Sequence, residues 1–531
     1  MSEGGTRMRR REVLRLGAFA GLAVAIEACT PAPTTGQGQS EAPVPTDRLT
    51  IIQDNAIDSM DAHVAQRPQA NVIIQRINEA LVERDPKTLQ PRPRLATSWR
   101  RVDPLVWEFK LRTGVKFTNG EPFDAATVKY NFDRAFRPEL KSAKGTSFKT
   151  VLDTVTVVDP TTVQLKTKAP YALLLERLVA FWLVPPKYSA DKGDAAYGLA
   201  PIGTGPYTFV DWTQGQSASI RKNPDYWGEK GIYDTIVFRQ VTETATAVAE
   251  LLAGTADVVF GLTPDILDAV KNSGKADVLA AKGVDVVEVR MDALPRGDKN
   301  PFTDKRVRLA ANYAVDKEAI AKNLLGGYSE VVATNIGPQM FGFDPNVKPY
   351  PYDQAKAKQL MADAGFANGF DVRFLSYPVA GFPPSVLNAV VQAITSDLGK
   401  VGIRCSIFNV GATEISSYTT TGKAGPIFIG GNPNGGFYDG GFGFFFLRQS
   451  ANLSYFWSDA LEKQILQVEQ DTDPENRKRI LSQIQTYLHD EAPYIWGWTG
   501  FSLIGASKKL DLTDVIVGPD FYSERIKPRK R

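Results

Sequence analysis

Histidine and cysteine are nearly absent from this chain of 531 residues, which contains two of each. The histidines, His63 and His489, lie far apart in sequence and are too few for a histidine-based metal site. We expect His63 to cap or pack locally and His489 to lie on a solvated helix face. Cys405 lies in Gly402–Phe408, whose alternation predicts a strand with a small core thiol. The sequence therefore predicts no metal site.

Catalytic motifs are also missing. The chain has no His-Glu-x-x-His, Cys-x-x-Cys, Gly-x-x-x-x-Gly-Lys or Gly-x-Ser-x-Gly string. Ser189–Lys192 and Ser219–Lys222 match Ser-x-x-Lys, but neither has a Ser-Asp-Asn or Lys-Thr-Gly companion. We therefore predict no catalytic residue, no cofactor and no enzymatic activity. A carboxylate pair among the 59 acidic residues stays open, because the sequence cannot rank their arrangements.

Neither charge sign is in large excess, and long apolar runs are absent beyond the N-terminal region. The chain has 62 Lys and Arg residues against 59 Asp and Glu residues, whereas a nucleic-acid partner favours a strongly basic face. The basic segment Arg525–Arg531 is expected to be a solvated tail. A membrane-spanning helix needs about 20 predominantly apolar residues. We therefore expect neither a nucleic-acid partner nor a spanning helix in the body of the protein.

The N-terminal region combines a basic run, a short apolar stretch and a cysteine. Arg9–Arg11 is followed by Leu16–Ile26 and then by Cys29, which is the order of a bacterial lipoprotein export signal. Arg10–Arg15 also fits a twin-arginine core, and Thr30–Ser40 has the composition of a flexible tether. The alternative, an uncleaved membrane anchor, would need a longer apolar stretch. We predict a lipid on Cys29 and a location on the extracytoplasmic face of a bacterial cell membrane, in the periplasm or at the cell surface.

The rest of the chain mixes strand and helix patterns without a strict alternation. Leu105–Leu111 alternates as a strand does, and Asp159-Pro160 predicts a hairpin turn. Asn71–Glu83 and Asp304–Leu325 have helical periodicity. Because the chain is too long for a single core, the pattern predicts an α/β fold with several lobes.

One segment, Gly425–Phe446, is rich in glycine and phenylalanine and has little helix or strand propensity of its own. Long loops inside compact domains are usually functional or disordered. Its many aromatic side chains favour partial burial, so we predict a loop that lines a ligand site.

Several strings along the chain resemble one protein family in order and spacing. They are Leu95–Trp99, Trp107–Arg112, Gly114–Val128, Pro201–Tyr207, Arg221–Trp227, Phe302–Asp316, Ala355–Gly365 and Glu491–Pro493. The family is extracellular solute-binding protein family 5, which serves ABC importers for peptides, nickel and related solutes. The resemblance covers essentially all of Asp47–Phe501.

The resemblance implies an α/β, two-lobed periplasmic-binding-protein (Venus flytrap) fold with an extra subdomain on the first lobe. We expect a signal peptide at 1–28, a tether at 29–46, a first lobe built from 47–82, 201–289 and 499–531, an extra subdomain at 83–200 and a second lobe at 290–498. The ligand would bind in the cleft between the lobes, and closure would bury it.

The resemblance also suggests where a ligand would lie. In peptide-binding members, an aspartate in a loop anchors the free amine of the peptide. Here Gly431 or Asn432 takes that place, and Asp439 is a possible substitute. The segment from Asn55 runs along the ligand in relatives, and two tryptophans lie beside the second crossover between the lobes. The candidate ligand-binding residues are Asn55, Ala56, Ile57, Asp58, Asn432, Asn434, Tyr438, Asp439, Trp496 and Trp498.

We therefore predict a monomeric, lipid-anchored binding protein that delivers a peptide or peptide-like solute to the transmembrane subunits of an ABC permease. An oligosaccharide, an opine-like conjugate or a nickel chelate is an alternative ligand, because the expected amine anchor is missing. Alternatives from other classes are a lipid-anchored hydrolase and a periplasmic chaperone or sensor receptor on the same fold.

Overall fold

The structure is a computed structural model that describes residues 46–295, 300–379, 382–411, 414–420, 424–432, 436–451, 454–517 and 520–529. The predicted signal peptide, the lipidation site Cys29 and the candidate ligand residue Asn434 lie outside the described residues.

The described residues form twenty strands. In chain order they are β1 Arg48–Gln53, β2 Val82–Arg84, β3 Pro91–Pro93, β4 Ala96–Asp103, β5 Val106–Leu111, β6 Leu152–Asp159, β7 Thr162–Thr167, β8 Tyr207–Thr213, β9 Ser217–Lys222, β10 Thr235–Gln240, β11 Val258–Leu262, β12 Ala276–Met291, β13 Phe370–Ser376, β14 Ile403–Asn409, β15 Ile427–Asn432, β16 Tyr494–Ser507, β17 Leu510–Asp511, β18 Ile516–Val517, β19 Asp520–Phe521 and β20 Lys527–Pro528.

The same residues form fifteen α-helices. They are α1 Pro68–Ile77, α2 Ala125–Ala135, α3 Ala143–Val151, α4 Leu174–Leu178, α5 Pro186–Lys192, α6 Asp194–Tyr197, α7 Thr244–Ala253, α8 Leu267–Asn272, α9 Lys305–Ala314, α10 Lys317–Asn323, α11 Gln354–Asp363, α12 Pro384–Lys400, α13 Ile415–Thr420, α14 Asp459–Gln470 and α15 Pro474–Glu491. Short 3₁₀ helices lie at Pro138–Leu140, Pro264–Ile266, Pro301–Thr303, Gly440–Leu447 and Ser523–Arg525. Among these residues, no helix combines the length and the apolar character needed to cross a membrane.

One mixed sheet of ten strands runs through the molecule in the order β14-β13-β15-β12-β16-β11-β1-β10-β9-β8. We call the half with β1, β8, β9, β10 and β11 the first lobe, and the half with β13, β14 and β15 the second lobe. The first lobe also buries side chains from the C-terminal segment, including Leu510, Val515 and Phe521. The predicted two-lobed α/β fold is confirmed.

The long antiparallel strands β12 and β16 belong to both lobes. Their pairing shifts register between Lys282 and Val286 and again between Val287 and Glu288. Gly283 lies at the first shift, where a Cβ atom would come within 3.0 Å of the carbonyl oxygen of Gly500 on β16. The crossing between the lobes therefore consists of two continuous strands with bulges and a close backbone contact.

The extra subdomain is an antiparallel sheet, β4-β5-β7-β6, that packs with α2, α3 and α4 around its own core. Its local signals match the sequence. The Asp124 carboxylate accepts a hydrogen bond from the Thr127 amide and the Thr127 side chain returns one, a capping box that starts α2. Asp159 and Pro160 lie at the predicted hairpin between β6 and β7.

Two helix predictions need correction. The predicted helix Asn71–Glu83 is α1, which starts earlier and ends at Ile77. The predicted helix Asp304–Leu325 is two helices, because Val315 is extended and Asp316 caps a new helix through the Ala319 amide. In both cases the apolar spacing continues past the break.

The predicted loop Gly425–Phe446 also contains regular structure. Its first part is β15, which pairs with β12 inside the sheet. Glycine is required there, because a Cβ atom at Gly430 would lie 2.7 Å from the Arg290 Nε atom. The close packing around this buried strand requires glycine at position 430, and the composition alone does not reveal that requirement.

Candidate functional site

A cavity of about 300 Å³ lies where the first lobe, the extra subdomain and the second lobe meet. We call it the interlobe cavity. It is at the lower end of the usual range for small-molecule sites, roughly 300–1,000 Å³. Charged side chains form much of its wall. They are Arg76, Glu79, Glu83, Arg84, Arg94, Glu176, Asp285, Asp520 and Glu524.

The C-terminal end of α1 positions one wall of the interlobe cavity. Asn78 leaves the helical conformation, and its side-chain amide donates to the carbonyl oxygens of Leu183 (2.9 Å) and Ile202 (3.1 Å). Gly203 packs against this end, since a Cβ atom there would lie 1.9 Å from the Ile77 carbonyl oxygen. The glycine-rich string found in the sequence therefore fixes the point from which the next residues enter the cavity wall.

Glu79 follows directly and is held by four side chains. Its Oε1 atom accepts from the Tyr226 hydroxyl at 2.8 Å, and Arg94 Nε lies 2.6 Å away. Its Oε2 atom accepts from the Thr204 hydroxyl (2.7 Å) and from Trp227 Nε1 (2.9 Å). This carboxylate is fully used in organising the wall, and two of the family-like strings meet on it.

Arg84, at the end of β2, is the most heavily engaged cation of the wall. Its Nη2 atom lies 3.1 Å from Glu176 Oε2 in the extra subdomain. Its Nε atom lies 3.6 Å from Asp520 Oδ2 in the C-terminal segment. Its side chain is 2% exposed, so these interactions take place with little competition from water.

Arg84 also bridges to the second lobe. Its guanidinium donates to the carbonyl oxygen of Gly436 at 3.1 Å and stacks on the Tyr438 ring, 4.3 Å from the ring centre. Glu176 accepts from the Tyr438 amide at 3.3 Å. The structure therefore has the two lobes in contact across the interlobe cavity, with Arg84 at the centre of that contact.

A second arginine, Arg76, ties α1 to the C-terminal segment. Its Nε atom lies 2.6 Å from Glu524 Oε2, and its Nη2 atom donates to the Phe521 carbonyl oxygen at 2.6 Å. Its guanidinium lies 4.8 Å from the centre of the Tyr522 ring. Two elements more than 400 residues apart in sequence are thus joined in one wall.

Burial and the neighbouring charges shift the pKa values of these groups. Desolvation raises the pKa of Glu176, and the nearby Arg84 reduces this rise without reversing it. The pKa of Arg84 is raised despite its burial, because Glu176 and Asp520 favour its charged form. Arg84 therefore stays charged at any pH the protein meets.

The predicted segment Asn55–Asp58 does not line the interlobe cavity. Asn55 and Ile57 line a small depression beside Trp212 and Phe238 in the first lobe. Asp58 instead accepts from the backbone amides of Gln66 (2.8 Å) and Arg67 (3.2 Å), just before α1. The cavity-lining residues of this chain segment begin at Gln66.

The predicted residues after β15 contribute to packing. The side chain of Asn432 is buried and donates to the Gly443 carbonyl oxygen at 2.7 Å. The ring of Tyr438 is 1% exposed. Asp439 forms a buried bidentate ion pair with Arg477, at 2.7 and 2.6 Å. Its negative charge is neutralised within the second lobe, so the geometry does not support Asp439 as a substitute amine anchor.

The predicted tryptophans lie inside the second lobe. Trp496 is 1% exposed and Trp498 is 0% exposed. Trp498 Nε1 donates to the Lys317 carbonyl oxygen at 2.9 Å, which is a structural role. Neither ring lines the interlobe cavity. Each belongs to a cluster of buried core side chains.

Sequence reasoning missed most of the cavity wall. Gln66–Arg84 lies soon after the predicted segment, and its content of charged residues is close to that of the whole chain, so it gave no clear signal. Glu176 and Asp520 gave no local signal, because they are far from Arg84 in sequence and come into contact with it only in the folded protein. Gly436 and Phe437 do line the cavity, and they belong to the segment predicted to line the ligand site.

Comparisons with known proteins agree with this architecture. The model for "Bacterial extracellular solute-binding proteins, family 5 Middle" matches residues 90–452. Heme-binding protein A of Haemophilus influenzae is 29% identical over 460 residues, which cover 80% of this chain and 82% of that protein. Glutathione-binding protein GsiB of Salmonella paratyphi A is 27% identical over 408 residues, which cover 74% of this chain and 77% of that protein.

A solved structure has the same fold. The periplasmic binding protein DppA from Helicobacter pylori, in complex with the peptide STSA, superimposes with a TM-score of 0.74 at 22% identity, covering 91% of this chain and 98% of that one. This chain therefore belongs to the bacterial extracellular solute-binding proteins of family 5, the substrate-binding components of ABC importers.

Proposed function

We propose that this protein captures a peptide or peptide-like solute that carries a positive charge, and that the interlobe cavity holds it for delivery to an ABC permease. We also propose that a lipid on Cys29 keeps the protein at the extracytoplasmic face of the membrane.

The observation that carries the ligand proposal is the charge of the cavity wall. Six carboxylates and three guanidinium groups line it. The carboxylates are Glu79, Glu83, Glu176, Asp285, Asp520 and Glu524. All three arginines are ion-paired with carboxylates of this same wall, and Glu83 also pairs with Arg92 outside it. By formal charge, six carboxylates therefore stand against four guanidinium groups, a small excess of negative charge. A cationic group on the ligand would offset the cost of desolvating that charge on closure.

The relatives support a peptide-like solute. One is a glutathione-binding protein, and a structurally similar protein was solved with a bound tetrapeptide. Peptides also supply backbone donors and acceptors, which suit a wall that mixes carboxylates with the amides of Gln66, Asn71 and Gln75.

Capture would work by closure. The cavity wall comes from both lobes and from the extra subdomain, so a ligand inside contacts all three only when the lobes meet. A ligand shifts this equilibrium only through its higher affinity for the closed form. Moving from about 1% to about 99% closed takes about 5.5 kcal/mol of differential binding free energy.

The test is a thermal-shift screen of the protein without its tether, followed by calorimetry of the hits. The panel pairs short peptides that contain lysine or arginine with the matching glutamate peptides, and adds neutral oligosaccharides, opine-like conjugates and nickel chelates. A ligand at 100 times its Kd should stabilise the protein by about 2.7 kcal/mol. We expect the basic peptides to give the larger shifts.

A charge variant makes the test specific to the cavity. Asp520→Asn should weaken binding of the basic peptides, because it removes one wall carboxylate. Asp133→Asn is the control, since Asp133 is exposed on α2 and its ion pair in the described part of the chain is with Lys129 of the same helix. If the glutamate peptides or the sugars bind best, or if both variants bind alike, the proposed ligand class is wrong.

The lipid anchor has its own test. Cys29→Ser should move the protein from the membrane fraction to the medium or periplasm, whereas Cys405→Ser should leave it on the membrane. Retention of the Cys29→Ser protein in the membrane fraction would contradict the proposal without affecting the ligand assignment.

A further inference from the structure

A second cavity, of about 630 Å³, lies between the extra subdomain and the second lobe. The subdomain contributes the end of α3, the segment after β7 and Arg177 of α4. The second lobe contributes the 3₁₀ helix Gly440–Leu447 and the end of α14. We call this the aromatic cavity. Its volume is within the range of small-molecule sites, roughly 300–1,000 Å³.

Aromatic and apolar side chains form much of its wall. They are Tyr171, Phe442, Phe444, Phe445 and Leu466. Phe445 is 63% exposed and Leu466 is 41% exposed, both among the most exposed large apolar side chains that the structure describes. Exposed apolar groups that face each other around a concave site mark a binding surface rather than a packed core.

Positive charge is in excess in the aromatic cavity. Three cations, Lys168, Arg177 and Arg448, line it together with one carboxylate, Glu469. Glu469 is already engaged, since it lies 2.8 Å from Arg448 Nη2. The remaining charge of the wall is therefore positive, the opposite of the interlobe cavity.

Arg177 has an unusual environment for a guanidinium. Its Nε atom donates to the Tyr171 hydroxyl at 2.5 Å, and its Nη1 atom donates to the Ser147 hydroxyl. Both partners are neutral, and within the described residues Arg177 makes no ion pair and its Nη2 group has no acceptor. Its guanidinium lies 5.3 Å from the Phe442 ring centre and 5.5 Å from that of Tyr171.

The two cavities lie back to back. Phe437 lines the interlobe cavity and Phe442 lines the aromatic cavity, and their rings stack with centres 4.1 Å apart. In α4, the successive residues Glu176 and Arg177 line one cavity each. The wall between the cavities thus presents a carboxylate to the interlobe cavity and a guanidinium group to the aromatic cavity.

We propose that the aromatic cavity is a second ligand site, which binds an anionic group carried on an aromatic or apolar body, as in an aryl carboxylate. A carboxylate would accept from the free Nη2 group of Arg177 in a charge-assisted hydrogen bond. The ring would pack against the phenylalanines at the mouth of the cavity. The site is spatially separate from the interlobe cavity.

The occupant would also contact two parts of the protein that move relative to each other. Its contacts with α4 and with the 3₁₀ helix exist together only when the lobes are closed. By differential binding it would favour the closed form, and so it would act in the same direction as the transported solute.

The test uses 4-(trifluoromethyl)phenylacetate as the probe and follows its ¹⁹F NMR signal as the full-length protein is added. We expect saturable broadening. The uncharged amide of the same probe should bind at least about tenfold more weakly, which corresponds to about 1.4 kcal/mol. A response to the acid that does not saturate, or equal binding of acid and amide, would overturn the proposal.

Variants assign the response to this cavity. Arg177→Gln should weaken probe binding about tenfold or more, and Arg177→Lys should retain part of it. Arg100→Gln is the matched control, because Arg100 lies in the same subdomain and its side chain is 72% exposed. Phe445→Ala should weaken binding as well, and its exposed ring makes this variant safe for folding. Unchanged binding in both Arg177→Gln and Phe445→Ala would refute the site.

A last variant separates this proposal from the function of the interlobe cavity. Asp520→Asn should leave probe binding unchanged, because Asp520 does not line the aromatic cavity. If that variant abolishes probe binding, the probe occupies the interlobe cavity and the second site does not exist.

Discussion

Replacing Arg84 should open the protein more than it unfolds it. Arg84→Met keeps the apolar stem of the side chain but removes its charge. Two of the interactions lost are between lobes: the hydrogen bond to the Gly436 carbonyl oxygen (3.1 Å) and the stacking on Tyr438 (4.3 Å). The others, to Glu176, to Asp520 and to the Leu89 carbonyl oxygen (2.8 Å), are within the first lobe and its subdomain.

The expected change in the closure equilibrium comes from the two interactions between the lobes. A hydrogen bond to a charged group contributes about 1.5–3 kcal/mol, and a desolvated cation–π contact about 2 kcal/mol. Water recovers part of both in the open form, so we expect the closed form to lose about 3 kcal/mol, a shift of about 10²-fold in the closure equilibrium. In this variant the Glu176 carboxylate loses its arginine partner, which lowers the stability of the folded protein. Protonation of Glu176 limits this loss, because burial already raises its pKa.

The assay measures the distance between the lobes directly. Spin labels on the exposed positions Asp191 of the subdomain and Lys478 of the second lobe, in a Cys405→Ser background, report the distance distribution. Arg84→Met should broaden this distribution toward longer distances. Arg92→Met is the control, since Arg92 is 39% exposed and, among the residues that the structure describes, forms ion pairs only with Glu83 and Asp85 of its own hairpin.

A double variant separates opening from destabilisation. Arg84→Met combined with Glu176→Gln should recover part of the lost stability, because the Glu176 carboxylate is no longer buried without a partner, although Asp520 still lacks Arg84. The double variant should stay open. If Arg84→Met keeps the native distance distribution, the contact across the interlobe cavity does not hold the lobes together and the reasoning fails.

Three further predictions concern the stability of the fold. Burial opposes ionisation of Asp61, but Arg134 outweighs it and holds the Asp61 pKa below its ordinary value of 3.8. The stabilisation is therefore present above about pH 4 and is lost as the pH falls through the folded-state pKa, and Asp61→Asn should cost about 3–5 kcal/mol in urea unfolding at pH 7. Burial lowers the pKa of Lys317 from 10.5 to about 7, so the folded state holds fewer protons between these values. Stability should rise with pH in this window by about 1.4 kcal/mol per unit, and Lys317→Met should remove that part of the slope. Gly203→Ala places a Cβ atom 1.9 Å from a backbone oxygen at the end of α1 and should lower the melting temperature by an amount equivalent to about 3 kcal/mol or more. Gly399→Ala, in open space within α12, should instead be neutral or stabilising by about 0.5–1 kcal/mol.

Local structure was predictable wherever a few neighbouring residues decide it. The Asp159-Pro160 turn, for example, follows from residues within one turn of the chain. The family-like strings then extended these local signals to the whole fold. The predicted domain boundaries stay predictions.

The site was much less predictable, because contacts between distant residues build it. Glu176 and Asp520 both contact Arg84, although each lies more than 90 residues after it in the sequence. Trp496 and Trp498 were expected near the ligand from their place beside the second crossover, which does not tell whether a side chain enters the cleft or the core. Both are buried in the structure. The sequence did not reveal the environment of His489 either. Its ring stacks on Tyr350, with ring centres 4.2 Å apart, instead of projecting into solvent.

The shared strands β12 and β16 determine what an opening motion costs. Since both strands run unbroken from one lobe to the other, the lobes can part by bending a ribbon whose hydrogen bonds are kept in both states. The backbone then contributes little to the free-energy difference between open and closed forms. That difference is left to the side chains where the lobes meet, and Arg84, at the centre of that contact, also lines the interlobe cavity. Closure and solute choice are therefore coupled: a substitution of Arg84 changes both how tightly the lobes close and which charges face the solute.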